Sequence, residues 1–172
     1  FGPVSGEEPA KLVILLHGVG ADGHDLIGLA PHFARVLPDA GFISPHAPYP
    51  YDMAPVGRQW FPLADRSPSR ILAGIRATAP ILSGFIDREL ERRRLTDRDL
   101  ALIGFSQGTM MALYVALRRA DACAALIGYS GALAGRESLA EEIRACLEDR
   151  AEEGLPLTIE TRVVEVEAEV AV

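Results

Sequence analysis

Three short stretches that are apolar from end to end constrain this chain most: residues 12–16, 100–103 and 124–127. Each is too short for a core helix and is followed within two residues by glycine (Gly18, Gly104 and Gly128). Continuous apolar character over about 4–8 residues marks a strand buried on both faces, where alternation would mark one wet face. Gly41-Phe42-Ile43-Ser44 reads as a further strand. Helical spacing fills the intervals. Asp25 is placed to cap a helix carrying Leu26, Ile27, Leu29, Phe33, Val36 and Leu37. A long helix is predicted from Ser69 to about Arg94, with Ile71, Leu72, Ile75, Ile81, Leu82, Phe85, Ile86 and Leu90 inward and a kink at Pro80. Arg92-Arg93-Arg94 reads as its solvated, dipole-complementing end. Another helix is predicted from Gln107 to about Arg119.

Strand alternating with helix implies a parallel sheet with helices on both faces. Right-handed crossovers then put the carboxyl ends of the strands, and the loops after them, on one edge. His17–Gly20, Pro45–Pro48, Ser106 and Ser130 all fall there. Between the second strand and the long helix, six prolines from Pro45 to Pro68 preclude regular structure, while Tyr49, Tyr51, Trp60 and Phe61 argue for an ordered loop.

A chain of 172 residues has the length of one domain, and an apolar share of 49% supplies one core. Within that domain the texture changes near residue 140. The net charge of −7 comes from residues 137–172, because the part before them is nearly balanced. No basic face is concentrated enough for nucleic acid. No apolar run is long enough to span a membrane as a helix. Cys123 and Cys146 make no disulfide framework and no zinc spacing, so Cys123 reads as a small core residue in a reducing, cytoplasmic setting. The start at Phe1, with neither an initiator methionine nor a signal segment, reads as a fragment. Residues 136–153 read as an acidic helix. From Leu157 the chain alternates, with a parity switch at Val163-Val164, as a half-exposed strand would; such an exposed edge would allow a homodimer.

Chemistry enters at Gly104-Phe105-Ser106-Gln107-Gly108, between a buried strand and a helix. A serine on that sharp turn presents its hydroxyl, and the helix start behind it offers free N–H groups and partial positive charge to a developing anion. The backbone N–H of Gln107 would be one oxyanion donor, and the N–H of Val19, in the glycine-rich turn after the first strand, the other. His17 is a tempting base but reads better as a residue shaping that loop; His46 reads as a loop-fixing hydrogen-bonder, and His24 and His32 as exposed.

Leu16-His17-Gly18-Val19-Gly20, Pro45-His46-Ala47-Pro48, Gly57-Arg58-Gln59-Trp60-Phe61, the Ser106 pentapeptide and Ser130-Gly131-Ala132-Leu133 occur in that order. Together they resemble the phospholipase/carboxylesterase family of α/β-hydrolases, relatives of acyl-protein thioesterases, over about residues 2–140. The resemblance implies an α/β-hydrolase fold and a serine esterase for small acyl esters, thioesters or lysophospholipids, without cofactor or metal. Ser106 would be the nucleophile, Val19 and Gln107 the oxyanion donors, and Gly18, Trp60 and Phe61 the lining of the acyl pocket. The family's triad aspartate and histidine have no counterpart: no histidine follows His46, and Asp149 is the one aspartate after Asp121. A hydrolase altered after about residue 145 is the first expectation, and impaired turnover goes with it. A non-catalytic acyl-binding or self-associating module is the second, and a histidine lent by a partner chain the third.

Overall fold

The structure, a computed structural model, describes residues 1–152, with side chains as far as Ala145. In chain order the elements are β1 (Lys11–Leu16), α1 (Gly23–Ile27), α2 (Ala30–Phe33), β2 (Ala40–Ile43), β3 (Tyr49–Pro50), β4 (Arg58–Gln59), α3 (Pro68–Arg93), a 3-10 turn (Asp97–Asp99), β5 (Leu100–Phe105), α4 (Gln107–Ala116), β6 (Ala125–Tyr129) and α5 (Arg136–Glu152). Four strands form a parallel sheet in the order β2-β1-β5-β6, and β3 and β4 make a small antiparallel pair inside the proline-rich segment expected to hold no regular structure. The alternating stretch expected over 157–172, and with it the basis for a homodimer, lies outside the described residues.

Pleating explains why the strand runs had to be apolar throughout. Leu12, Ile14 and Leu16 of β1 join Leu100 and Leu102 of β5 in one core, against Ile75, Leu82 and Ile86 of α3 and Met111 and Val115 of α4. Val13 and Leu15 point the other way and pack with Phe42, Ile103, Ala30 and Ala34. Burying each such leucine or isoleucine contributes about 1.5–3 kcal/mol, so a polar residue at any of these places would cost heavily.

The chain leaves β1 for β2 on one side, then crosses through α3 to β5 on the other side of β1. The strand order therefore reverses between β1 and β5. Open α/β sheets bind ligands above the carboxyl ends of the two strands that flank such a reversal. Here those ends lead into His17 and Ser106.

Several local expectations need correction. The cap of the first helix is Asp22, not Asp25: extended backbone lets its carboxylate accept the His24 N–H at 2.7 Å, leaving Asp25 within the first turn. That helix ends at Ile27 and α2 starts afresh with Pro31 in its first turn. As a result Leu29, Val36 and Leu37 are exposed rather than inward. Ile81 of α3, the residue after Pro80, is 47% exposed rather than inward. Arg92 and Arg94 are exposed at the end of α3, as expected, Arg94 in left-handed backbone, but Arg93 is half-buried against Glu89. Finally, β6 is not buried. It pairs only with β5 among the described strands, and Ile127 and Tyr129 are 43% and 57% exposed.

Candidate active site

Ser106 is the last residue before α4, with φ 52° and ψ −115°. This backbone region is close to glycine-only, and holding serine there costs on the order of 1–3 kcal/mol. The surroundings enforce it. The Ser106 N–H donates to the Tyr129 carbonyl at 2.9 Å. Thr109, one turn into the helix, donates its hydroxyl to the same carbonyl at 2.8 Å and accepts the Tyr129 N–H at 3.0 Å. The start of α4 is thus stitched to the end of β6. On its other flank it abuts β1, because a Cβ built on Gly108 would lie 2.0 Å from the Leu16 carbonyl oxygen. Only glycine permits that approach.

The Ser106 side chain does not cap the helix and is partly exposed. Its neighbour across the rim is the turn after β1. A Cβ on Gly18 would meet the Ser106 Cβ at 3.3 Å and the Phe105 ring at 3.0 Å. The pairing of Leu16 with Gly104, the last in the β1–β5 register, explains why Gly18 comes level with Ser106. Among the described residues, neither the Val19 N–H nor the Gln107 N–H has a hydrogen-bond acceptor. Free donors of this kind, one of them at a helix start beside the partly exposed Ser106, suit an oxygen that gains negative charge.

His17 is wholly buried, and both of its ring nitrogens are engaged. Nδ1 lies 2.7 Å from the Gly18 carbonyl, and Nε2 accepts the Ala47 N–H at 3.0 Å. That pattern requires a neutral ring with its proton on Nδ1. Burial pushes the imidazole below its ordinary pKa, which keeps it so. His46 Nδ1 accepts the Gly23 N–H at 3.1 Å and fixes its own loop. Among the described residues, therefore, no imidazole hydrogen-bonds to Ser106.

Trp60 and Phe61 are almost completely buried behind this rim. The Gln107 side chain grips them: its Oε1 accepts the Trp60 N–H at 2.9 Å and its Nε2 donates to the Phe61 carbonyl at 2.8 Å. A cavity of about 400 Å³ opens nearby, between the start of α3 (Ile71, Leu72), Met110 of α4 and Leu133–Gly135 after β6. Gly18, Trp60 and Phe61 are not in its lining; Trp60 and Phe61 belong to the core on which Ile71, Leu72, Met110 and Ala134 pack. Sequence spacing did not point to α3 as a wall, because α3 reaches the rim only through the fold. The described residues contain no cluster of three metal-ligating side chains and no helix long and apolar enough to cross a membrane.

Residues 4–151 match the phospholipase/carboxylesterase family. The crystal structure of esterase PE8 superposes with a TM-score of 0.79 at 39% identity, covering 83% of this chain and 67% of that one. Acyl-protein thioesterase 2 of Zea mays gives 0.62 at 23% identity, covering 84% and 66%. SOBER1 of Arabidopsis thaliana gives 0.62 at 20% identity, covering 77% and 67%. The last two likenesses bear on the fold alone, and the chain spans about two thirds of the length of all three structures. On the family match and the likeness to an esterase, this chain belongs to the phospholipase/carboxylesterase family of α/β-hydrolases, whose chemistry is carboxylic ester hydrolysis.

Proposed function

We propose that Ser106 is the acyl-accepting nucleophile of a serine carboxylesterase, with the backbone N–H groups of Val19 and Gln107 as its oxyanion hole. One observation carries the reading: a serine strained into positive φ abuts the Gly18 turn, and among the described residues the N–H groups of Val19 in that turn and of Gln107 beside the serine have no acceptor. Ser106 Oγ attacks the ester carbonyl carbon, and the carbonyl oxygen takes up the charge. Donation from Val19 and Gln107, reinforced by the start of α4, stabilises that oxygen; one such donor is worth roughly 3–4 kcal/mol in a well-measured hydrolase. The Oγ proton passes to solvent; collapse of the adduct breaks the bond to the alkoxide, which takes a proton from water, and leaves the acyl group on Ser106, from which a second water releases the acid.

Substrates in this reading are small acyl esters. The cavity beside Met110, apolar along Ile71, Leu72, Met110 and Leu133 and bordered by Ser69, Arg136 and Glu137, is of a size that suits a short to medium acyl chain. Gly18 borders the reacting carbonyl, while Trp60 and Phe61 back the pocket from the core side. No cofactor takes part.

The proton of Ser106 needs an acceptor. His17 is unsuited, since its one lone pair is already given to the Ala47 N–H. These 172 residues hold no histidine beyond His46. Turnover by them alone therefore rests on the oxyanion hole and on binding, which in a triad-depleted protease leave about 10³–10⁴ over water. Hydrolysis of p-nitrophenyl acetate by this chain and by Ser106→Ala tests the proposal. The expected result is a slow rate that falls further in the variant. Equal rates would remove Ser106 as nucleophile, and a rate typical of intact esterases would show that a base is present after all.

A further inference from the structure

We infer that Trp60 is a positioning residue that sets the spacing between the two oxyanion donors; the inference rests on Ser106 being the nucleophile. The need for such a residue comes from the sheet. The β1–β5 register ends with Leu16 opposite Gly104, short of both Val19 and Gln107, so the ladder does not fix how far apart these two lie. Trp60 links the two loops from below.

Trp60 has three polar groups and spends each on a different element. Its indole N–H donates to the His17 carbonyl at 2.9 Å, holding the turn that leads to Val19. Its backbone N–H donates to Gln107 Oε1 at 2.9 Å, holding the helix start that carries the second donor. Its carbonyl accepts the Thr78 hydroxyl of α3 at 2.7 Å. Return donation from Gln107 Nε2 to the Phe61 carbonyl makes the link to α4 twofold. Trp60 and Gln107 are each 2% exposed, so water cannot take over a broken bond without opening the core. The indole is rigid, and a rigid spacer with one bond to each loop holds a distance that two flexible loops would not. Beyond His17 the tie continues, because the same residue accepts the Ala47 N–H through Nε2. Displacing a reacting or stabilising group by about 1 Å costs on the order of 10² in rate.

Three variants separate this role from general packing. Trp60→Phe removes the bond to His17 and keeps an aromatic ring; Gln107→Met cuts the link from the α4 side and serves if the first variant folds poorly. Thr78→Val removes the third bond of Trp60 and leaves both loops tied. Amide exchange by NMR and Ser106-dependent hydrolysis of p-nitrophenyl acetate are measured on each. In Trp60→Phe the Ala47 amide should exchange about tenfold faster while that of Leu102 is unchanged. The kcat should fall on the order of tenfold to a hundredfold with KM unchanged. Thr78→Val should show neither effect. The inference is overturned if Trp60→Phe leaves both Ala47 exchange and kcat as they were, if exchange rises and kcat holds, or if Thr78→Val lowers kcat as much. Should Ser106→Ala match the parent rate, the nucleophile reading falls and the catalytic meaning of Trp60 with it. Ala47 exchange then still reports whether the tie exists.

Discussion

Two glycines inside helices should respond to the same substitution with opposite signs. In an exposed helix interior, Gly→Ala stabilises by about 0.8–1.0 kcal/mol, because alanine surrenders less backbone entropy. Gly84 of α3, though half-buried, has the room: a Cβ there meets only the flexible tip of Arg88, at 3.4 Å. Gly108 of α4 is the reverse. Its Cβ would lie 2.0 Å from the Leu16 carbonyl oxygen, 2.5 Å from the Leu16 carbonyl carbon and 2.8 Å from the His17 oxygen, all backbone. To clear even the 3.0 Å floor that real Cβ atoms respect, the helix start has to retreat from β1 by about 1 Å. Overpacking of this kind costs typically 1–3 kcal/mol, and more where backbone resists, so even after the gain in propensity Gly108→Ala loses about 1–2 kcal/mol. For a domain of this size each kcal/mol moves Tm by about 2–4 °C. Gly84→Ala should therefore melt a few degrees above the parent and Gly108→Ala several degrees below it. Gln107 moves with the helix start, so Ser106-dependent hydrolysis should drop on the order of 10² in Gly108→Ala alone. Thermal and urea unfolding followed by circular dichroism give both stabilities. If Gly108→Ala melts at or above the parent temperature, α4 is not seated on β1 as described, and the reasoning about the oxyanion hole goes with it.

Three further outcomes follow from the same geometry. Ser106→Gly should be more stable than Ser106→Ala by about 1 kcal/mol, because glycine accepts φ 52° without strain; equal melting temperatures would contradict the strained turn. Arg119, 9% exposed, pairs with Asp97, itself 12% exposed, and with the more open Asp87. Arg119→Met strands the Asp97 carboxylate and should cost about 3–5 kcal/mol in urea unfolding, whereas a loss below about 1 kcal/mol would mean the pair is solvated. Burial alone would push the Glu142 carboxyl up, but hydrogen bonds from Ser138, Arg118 and Arg76 outweigh it and hold the group at about 2, against an ordinary 4.5. A carboxyl depressed on folding stabilises fully above its unfolded pKa and loses that contribution as pH falls through the folded one. The Tm advantage of the parent over Glu142→Gln should accordingly be largest above pH 4.5 and fall away as pH drops through about 2; a pH-independent gap would mean that these hydrogen bonds do not hold Glu142.

The runs at β1 and β5 were legible because burial on both faces leaves no room for a polar residue, and the sequence records that directly. The same signal misled at β6. An uninterrupted apolar run reports that a strand can be buried, whereas the number of layers covering it depends on segments far away in the chain. Asp22 and Asp25 are both competent caps three residues apart, and the extended backbone before α1 decides between them. At the rim, the glycine-flanked serine and the turn after β1 could be found by spacing alone. The clamp between Trp60 and Gln107 could not: its partners are 47 residues apart, and a glutamine beside a nucleophile carries no mark of what its side chain grips. The neutrality of His17 was equally hidden, since it follows from two partners that only the fold brings to the ring.

Acyl transfer to Ser106 is the step on which the account turns, and it can be read without waiting for turnover. The chain is incubated with p-nitrophenyl acetate, digested, and its acetylated side chains are mapped by mass spectrometry. Acetyl should accumulate at Ser106 well before the exposed Ser5 and Ser69, and should be lost from that peptide in Ser106→Ala. Acetylation of Ser106 no faster than of those surface serines would mean that its hydroxyl faces no oxyanion hole.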